Sequence, residues 1–261
     1  MIPQYASALL ISDLHLTPSM PLTAQRFFDF CEKEAPKVEV VFILGDLFEY
    51  WVGDDAALHS PFHQEVKRAL ATLSTKVKTY YFHGNRDFLI GSDFLNKTGM
   101  TLLPDPSKLE IAGHDYVLCH GDGLCTADVG YQAFRSLVRK PWLQRLFLLM
   151  PLDWRRGIAN HLRSQSAQQY QHTQQQSPAL AQIKTNVTLA ACAAVLRGQS
   201  DRLIHGHTHL PAHHQEQLGD QEWQRWVLSD WDMDHPERAQ PKASALRIDA
   251  SGVHYSDLIK S

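Results

Sequence analysis

Short apolar runs recur along the chain, and each is followed at once by a cluster of polar residues. Their length and their β-branched and aromatic content favour buried strands over helices. Stretches with helical spacing separate them, and Pro21 and Thr23 are expected to begin and cap the first helix. The alternation predicts an α/β fold. The apolar runs lie at residues 8–12, 40–44, 79–83, 116–120 and 202–206.

The C-terminal part of the chain has a different pattern. Residues 223–229, 243–248 and 253–258 alternate in hydrophobicity and are separated by turn residues. A period of two is typical of strands with one buried face. We therefore predict antiparallel strands in this part of the chain.

The section between the fourth and fifth apolar runs interrupts the strand rhythm with three stretches of helical character. It predicts a helical insertion, residues 127–196, set into a core of residues 1–126 and 197–261. Residues 129–163 carry seven basic side chains against one acid, and this excess suggests an anionic partner for the segment. Residues 164–183 contain eight glutamines and no formal charge, which predicts neither a firm core nor a long ordered loop.

Composition excludes several classes of protein. The formal net charge of −3 gives no general attraction to nucleic acid, so no nucleic-acid partner is expected. No signal peptide and no apolar run of about 18 residues is evident, so a membrane-spanning helix is not expected. The four cysteines lack a CxxC pair and are expected to be reduced thiols of a cytoplasmic protein. They are Cys31, Cys119, Cys125 and Cys192.

Five polar motifs follow the predicted strands, at the sheet edge where ligand crevices form. In the first and last motifs, alternate residues are expected to point to the same side of an extended segment. Carboxylate, imidazole and amide donors without thiolate suit Mn²⁺, Fe²⁺ or Zn²⁺. Asp46 is expected to bridge two ions about 3.5–4 Å apart. The motifs are Asp13-Leu14-His15, Gly45-Asp46, Gly84-Asn85-Arg86-Asp87, His120-Gly121-Asp122 and Gly206-His207-Thr208-His209.

This set resembles the calcineurin-like metallophosphoesterase superfamily over roughly residues 11–210. The resemblance implies two packed β-sheets flanked by helices, with a helical lid inserted. It also implies that Asp13, His15, Asp46 and His209 hold one ion, and that Asp46, Asn85, His120 and His207 hold the other. Where that superfamily often has a histidine after the asparagine, this chain has Arg86, whose guanidinium can grip a phosphate bidentately.

Longer segments at 45–51, 84–89, 130–135 and 140–144 are similar to the UDP-2,3-diacylglucosamine hydrolase family of lipid A biosynthesis. The similarity implies that a water activated by two metal ions, normally Mn²⁺, cleaves the pyrophosphate to UMP and 2,3-diacylglucosamine 1-phosphate. It further implies a monomer in the cytoplasm, peripherally associated with the inner membrane. The implied catalytic residues are Asp46, Asn85, Arg86, His120 and His207, and the implied substrate contacts are Asn85, Arg86, Asp128, Ser166 and His207.

Several alternatives stay open. The family's asparagine and lysine contacts are replaced here by Tyr170 and Thr173, so other residues supply these contacts or the grip on the substrate differs. Asp122 supports a histidine or forms a turn, and Asp54 and Asp55 orient the site or belong to a polar loop. Apolar residues of 142–149 pack the insertion onto the body or cover acyl chains. A phosphodiesterase for cyclic or other soluble nucleotides and a non-catalytic scaffold are the competing functions.

Overall fold

The computed structural model describes residues 4–58, 60–235, 237 and 240–259. In this part of the chain the strands are β1 (Gln4–Tyr5), β2 (Ala8–Ile11), β3 (Val40–Ile43), β4 (Lys78–Tyr81), β5 (Thr101–Leu102), β6 (Ser107–Ile111), β7 (His114–Cys119), β8 (Arg202–His205), β9 (Ala212–Leu218), β10 (Gln221–Val227), β11 (Ser244–Asp249) and β12 (Gly252–Asp257). The α-helices are α1 (Pro21–Asp29), α2 (Pro61–Ser74), α3 (Ser92–Thr98), α4 (Val129–Val138), α5 (Pro141–Leu148), α6 (Leu152–Gln176), α7 (Pro178–Thr185) and α8 (Leu189–Leu196).

The strands form two six-stranded sheets that pack face to face. One has the order β12-β11-β2-β3-β4-β5, with β2 to β5 parallel. The other has the order β1-β6-β7-β8-β10-β9, with β7, β8 and β10 parallel. Parallel neighbours place their carboxyl ends at one edge, so the polar segments that follow these strands are brought together.

Strand alternation separates three hydrophobic clusters. Leu10 and Phe42 point between the sheets, where they meet Tyr116 and Ile204 of the second sheet. Their sequence neighbours point outward, and the cluster that contains them includes residues of α1, α2 and α3. On the outer face of the second sheet, α8 packs against β7 and β8. Both faces of each sheet are therefore buried near the centre, which explains the continuous apolar runs and confirms the predicted fold.

The C-terminal strands were predicted only in part. β11 and β12 form the expected antiparallel pair. β10, however, is parallel to β8 and has β9 as its antiparallel neighbour. β9 has the sequence AHHQEQL and was not predicted, because an edge strand with few buried side chains lacks an apolar alternation.

The start of α1 also differs from the expectation. The Thr23 side chain does not accept a hydrogen bond from the first backbone N–H groups of α1. Instead Asp234, far along the chain, accepts hydrogen bonds from the backbone N–H groups of Leu22 and Thr23 and from the Thr23 hydroxyl. A carboxylate at a helix N-terminus satisfies unpaired donors and interacts favourably with the helix dipole.

The insertion is helical throughout its length. Most of the glutamine-rich stretch continues α6, a helix of 25 residues, with exposed side chains. Glutamine and alanine are good helix formers, so helix forms there without a core. The segment Pro178–Leu196 is long and apolar enough for a membrane span by length and composition alone. It is, however, divided between α7 and α8, where Thr188 caps α8, and Cys192 and Leu196 are buried against the second sheet.

Candidate metal centre

All five polar motifs meet at the carboxyl edges of the two sheets. The loops after β2 and β3 stay paired beyond the strands, since Asp13 N–H donates to the Gly45 carbonyl and His15 N–H to the Asp46 carbonyl. On the other sheet, Gly206 N–H donates to the His120 carbonyl. These backbone hydrogen bonds extend the sheet order into the loops and hold the motifs in register.

The first group of donors consists of Asp13, His15 and His209, whose ligand atoms lie within 4.8 Å of one another. His15 Nε2 is 3.3 Å from His209 Nε2, and His209 Nε2 is also 3.3 Å from Asp13 Oδ1. Two imidazole nitrogens that face each other beside a carboxylate oxygen need a shared proton or a shared cation between them. The arrangement fits one divalent ion.

The second group contains Asp46, Asn85, His120 and His207. Asn85 Oδ1 is 3.0 Å from His120 Nε2 and 2.9 Å from His207 Nδ1. Asp46 Oδ1 is 3.8 Å from His120 Nε2. Asp13, Asp46 and His120 also lie within 4.8 Å of one another, so the two groups of donors are contiguous. The structure thus brings together all seven side chains that the sequence pointed to.

The expectation that the Asp-x-His and His-x-His segments are extended was wrong. Asp13 and His15 have φ of 55° and 49°, and His207 and His209 have φ of 67° and 57°. These residues are in the left-handed region and not in an extended segment. Non-glycine residues rarely adopt it, and such strain concentrates at functional sites. Asp46, with φ of 52°, has the same conformation.

Hydrogen bonds to the rest of the protein orient the donors. His120 Nδ1 lies 2.7 Å from the Leu44 carbonyl and can only donate to it, which leaves the Nε2 lone pair facing Asp46 and Asn85. Asp13 Oδ2 accepts hydrogen bonds from Ser12 Oγ and His207 N–H, at 2.5 and 2.9 Å. Asp13 Oδ1 is buried and accepts no aligned hydrogen bond from the described residues, although His209 Nε2 lies 3.3 Å away. A buried carboxylate oxygen without a donor is costly, and a bound cation would satisfy it.

Two glycines allow the loops to approach this closely. A Cβ on Gly84 would lie 2.0 Å from Asp46 Oδ1, and a Cβ on Gly206 would lie 2.4 Å from Asp13 Oδ2. Neither space can hold even a methyl group. The glycines in the third and fifth motifs are therefore needed for the contact between loops from different strands.

Asp87 organises the second and third loops, a role that the sequence did not reveal. Its carboxylate is fully buried and accepts hydrogen bonds from the backbone N–H groups of Asp46, Leu47, Phe48 and Gly84. These bonds satisfy donors that no strand partner reaches. The only signal in the sequence was the acid that follows Asn85-Arg86.

The pKa values of the donors are shifted by burial and by the charges of neighbouring donors. Burial by itself lowers the pKa of His120, but Asp46 and Asp13 raise it to about 9. Burial lowers the pKa of His207 to about 3, and His120 adds to the effect. Burial raises the pKa of Asp46. The carboxylates thus favour a positive charge on His120, and burial disfavours one on His207. Strongly shifted pKa values of this kind cluster at functional sites.

The predicted substrate contacts belong to different parts of the structure. Asp46 Oδ1 accepts a hydrogen bond from Arg86 N–H, and the positive charge of Arg86 helps to lower the pKa of Glu49. Asp128 caps α4 by accepting from Tyr131 N–H at 3.0 Å. Ser166 is exposed on α6, and Thr173 lies two turns further along the same helix. Thr173 Oγ1 donates to the Gln169 carbonyl.

Arginines of the insertion pair with carboxylates of the core. Asp122, fully buried, accepts from Arg135 Nε and from Tyr131 OH at 2.7 Å each, and Arg139 Nη2 lies 3.5 Å away. Asp122 therefore anchors α4. This role differs from both expected alternatives, which were support of a histidine and formation of a turn. Much of the basic excess of the insertion has intramolecular partners, so the anionic partner inferred from charge is largely the core itself.

Two further arginine pairs attach α6. Arg155 donates to Asp55 and to the Val52 carbonyl. Arg163 donates to Glu49. Asp55 thus holds the insertion and does not orient the site. Asp54 instead accepts from Trp51 Nε1 and from two backbone N–H groups near α3.

Several apolar residues in and just after α5 remain on the surface. Trp142 is 55% exposed, Leu146 55% and Leu149 82%. The expectation of packing onto the core is therefore wrong for Trp142 and Leu149. Leu143 and Phe147 are half-buried, and Leu148 lies beside Gly53 of the core. Lys140 and Arg145 are exposed beside the exposed apolar residues and have no carboxylate partner among the described residues. The outer side of the insertion is apolar and basic.

Cys119 packs with Cys192 and Leu203 on the outer face of the second sheet, away from the donors, as strand alternation predicted.

A cavity of about 370 Å³ lies next to the fifth motif, between Asn186 and Val187 of the insertion and strands β9 and β10. Thr208, between His207 and His209, lines it. The cavity thus reaches the loop that carries His207 and His209.

Comparison with known proteins gives consistent matches. The family described as Calcineurin-like phosphoesterase matches residues 7–211. A protein named UDP-2,3-diacylglucosamine hydrolase from Ralstonia nicotianae is 47% identical, over 91% of this chain and 87% of its own length. Proteins of the same name from Escherichia coli and Aeromonas hydrophila are 42% and 44% identical, over 95% and 86% of this chain and 99% and 90% of their own lengths.

Proposed function

This chain belongs to the calcineurin-like phosphoesterase family, and we propose that it hydrolyses the pyrophosphate of UDP-2,3-diacylglucosamine to UMP and 2,3-diacylglucosamine 1-phosphate in lipid A biosynthesis. Its similarity to proteins named for that substrate, over nearly their whole length, supports the choice of substrate. The observation that carries the proposal is the convergence of seven oxygen and nitrogen donors from five separate loops at one edge of the sheets.

Proteins of this family bind divalent metals, and the donors present fit two ions, for which we propose Mn²⁺. The proposed ligands of one ion are Asp13, His15, Asp46 and His209, and those of the other are Asp46, Asn85, His120 and His207. When bound, the pair of ions would activate water and neutralise the charge that grows on the phosphoryl oxygens. Asp46 is the residue that would be shared by both ions, because its carboxylate lies within 4.8 Å of donor atoms from both groups, those of Asp13 and His120.

The side chains of the protein position the substrate. We assign to Arg86 the grip on a phosphate, since a guanidinium offers paired donors to phosphoryl oxygens. Asn85 and His207 lie beside each other and are suited to orient the same phosphate. Asp128 and Ser166 are the proposed contacts from the insertion to the sugar, although Asp128 also caps α4.

We propose that the insertion, residues 127–196, is a lid over the acyl chains and that its outer side meets the inner membrane from the cytoplasm. The exposed Trp142 and Leu146 on α5 and Leu149 just after it, beside Lys140 and Arg145, support this role. Such a combination of apolar and basic side chains is typical of surfaces that lie in the interface of anionic lipid.

The decisive experiment is incubation of the protein with Mn²⁺ and UDP-2,3-diacylglucosamine, with release of UMP as the readout. Asp46→Ala and His120→Ala are expected to lose most turnover while they remain folded by circular dichroism. Full activity in either variant would contradict the assigned roles. Faster turnover of cyclic AMP than of the lipid substrate would instead favour a soluble-nucleotide phosphodiesterase, and metal binding without hydrolysis of either would favour a scaffold.

A further inference from the structure

The carboxylate of Glu49 contacts two parts of the protein that are distant in sequence. Its Oε2 atom lies 3.3 Å from Nδ1 of His15. Its Oε1 atom accepts a hydrogen bond from Nη2 of Arg163, on α6 of the insertion. The Arg163 guanidinium also lies over the ring of Tyr50, with 5.2 Å to the ring centroid. One side chain thus contacts a proposed metal ligand and the insertion at the same time.

Glu49 Oε2 is the acidic group that faces His15 Nδ1. The 3.3 Å approach is an ion-pair contact and not an aligned hydrogen bond, and the negative charge favours a proton on Nδ1. An imidazole that donates Nδ1–H to a carboxylate keeps the Nε2 lone pair for a cation. His15 Nε2 points into the centre, where it lies 3.3 Å from His209 Nε2. The His15 side chain is 14% exposed, so few water molecules can replace Glu49 as the partner of Nδ1.

The contact with Arg163 restrains Glu49 itself. Glu49 is 27% exposed and follows Asp46 in the loop after β3, so its carboxylate is free to turn towards water when Arg163 is absent. An orienting carboxylate acts on its histidine only while its own position is held. The docking of α6 therefore determines how firmly His15 is presented to a cation.

We propose that Glu49 is a positioning residue that couples docking of the insertion, through Arg163, to metal binding at His15. The inference rests on the proposed dinuclear centre. By thermodynamic reciprocity, a docked insertion tightens the binding of the metal, and bound metal strengthens the docking of the insertion by the same factor. Closure of the lid over a substrate would then coincide with the best-ordered centre.

Asp55 provides a matched control. It pairs with Arg155 on the same helix, and so it attaches the insertion through the same kind of ion pair. Its carboxylate contacts no proposed metal ligand among the described residues. Removing its charge takes away one attachment of α6, while the Arg163–Glu49 pair, which carries the proposed coupling, stays in place.

The test is calorimetric titration of the full chain with Mn²⁺, on variants shown to be folded by thermal melting. Glu49→Gln is expected to bind Mn²⁺ roughly 10-fold more weakly. Arg163→Ala, which removes no ligand and no contact to His15, is expected to weaken binding at least about 3-fold, and Arg163→Lys to restore part of the loss. The double variant should bind no more weakly than Glu49→Gln alone, and Asp55→Asn should bind like the wild type.

Unchanged Mn²⁺ affinity in Arg163→Ala, or an equal loss in Asp55→Asn, would overturn the coupling while leaving the metal centre intact. A wild-type protein that binds no Mn²⁺ would overturn the centre and the coupling together. Hydrogen exchange on the wild type gives a second measurement that requires no variant. Mn²⁺ is expected to slow exchange in α6 around Arg163, and exchange that is unaffected by Mn²⁺ would also overturn the coupling.

Discussion

Replacing Gly84 by alanine tests whether the close contact between the second and third loops builds the metal centre. The new Cβ would lie 2.0 Å from Asp46 Oδ1 and 2.3 Å from the Asp46 backbone nitrogen, where ordinary contact begins at 3.4 Å. The Asp46 carboxylate must therefore retreat by about 1.4 Å. It would also lose its 2.8 Å hydrogen bond from Arg86 N–H.

A shift of this size has a large effect on chemistry. A misplacement of about 1 Å in a catalytic constellation can reduce the rate about 100-fold, which corresponds to about 2.7 kcal/mol of activation free energy. Because Asp46 is the proposed bridge, Mn²⁺ affinity should fall as well. Overpacking at a buried site should lower the free energy of unfolding by about 1–3 kcal/mol.

The assay is UMP release from UDP-2,3-diacylglucosamine at saturating Mn²⁺, together with calorimetric Mn²⁺ titration and urea unfolding. Gly157→Ala is the matched control, because a Cβ at Gly157 in α6 meets no atom within 4 Å. It should keep wild-type activity and gain up to about 1 kcal/mol of stability from helix propensity. A Gly84→Ala variant with activity within threefold of the wild type would refute the reasoning about the shared loop contact.

Three further predictions concern ionisation and anchoring. Asp122→Asn should lower the free energy of unfolding by about 2 kcal/mol in urea titrations, because the charge-assisted hydrogen bond from Arg135 is lost. The partial exposure of Arg135 to water limits the loss. A change below about 0.5 kcal/mol would show that Asp122 does not anchor α4. His120 has a pKa raised from 6.5 to about 9, so in chelator-treated protein its contribution to stability, on the order of 3 kcal/mol, is complete below about pH 6.5 and is lost as the pH rises towards 9. Thermal melting that is unchanged between pH 7 and 9 would contradict this. Mn²⁺ at about 100 times its dissociation constant should raise the free energy of unfolding by about 2.7 kcal/mol, and an identical melting curve with and without Mn²⁺ would argue against binding to the native state.

Much of the fold and the centre could be predicted from the sequence because the signals are local. Buried strands with both faces covered read as continuous apolar runs, and each polar motif follows its strand directly. Parallel strands then bring the motifs to one edge. The edge strand β9 could not be predicted in this way, because its sequence contains few apolar residues and so shows no alternation of apolar and polar positions.

The orientation of the donors depended on contacts between distant segments. The left-handed backbone at Asp13 and His15 is stabilised by neighbouring loops and has no local sequence signal. In the sequence, nothing distinguished Asp87 from other acidic residues. In the structure it accepts four backbone hydrogen bonds.

The sequence by itself determined which residue types are available and at which strand ends they stand, because periodicity and adjacency are properties of a chain. Only the tertiary structure decided which charges meet. The basic insertion was expected to face an external anion, whereas Arg135, Arg155 and Arg163 pair with carboxylates of the core. Charge acts through space, so the partner of an ion is known only when the fold has set the distances between them.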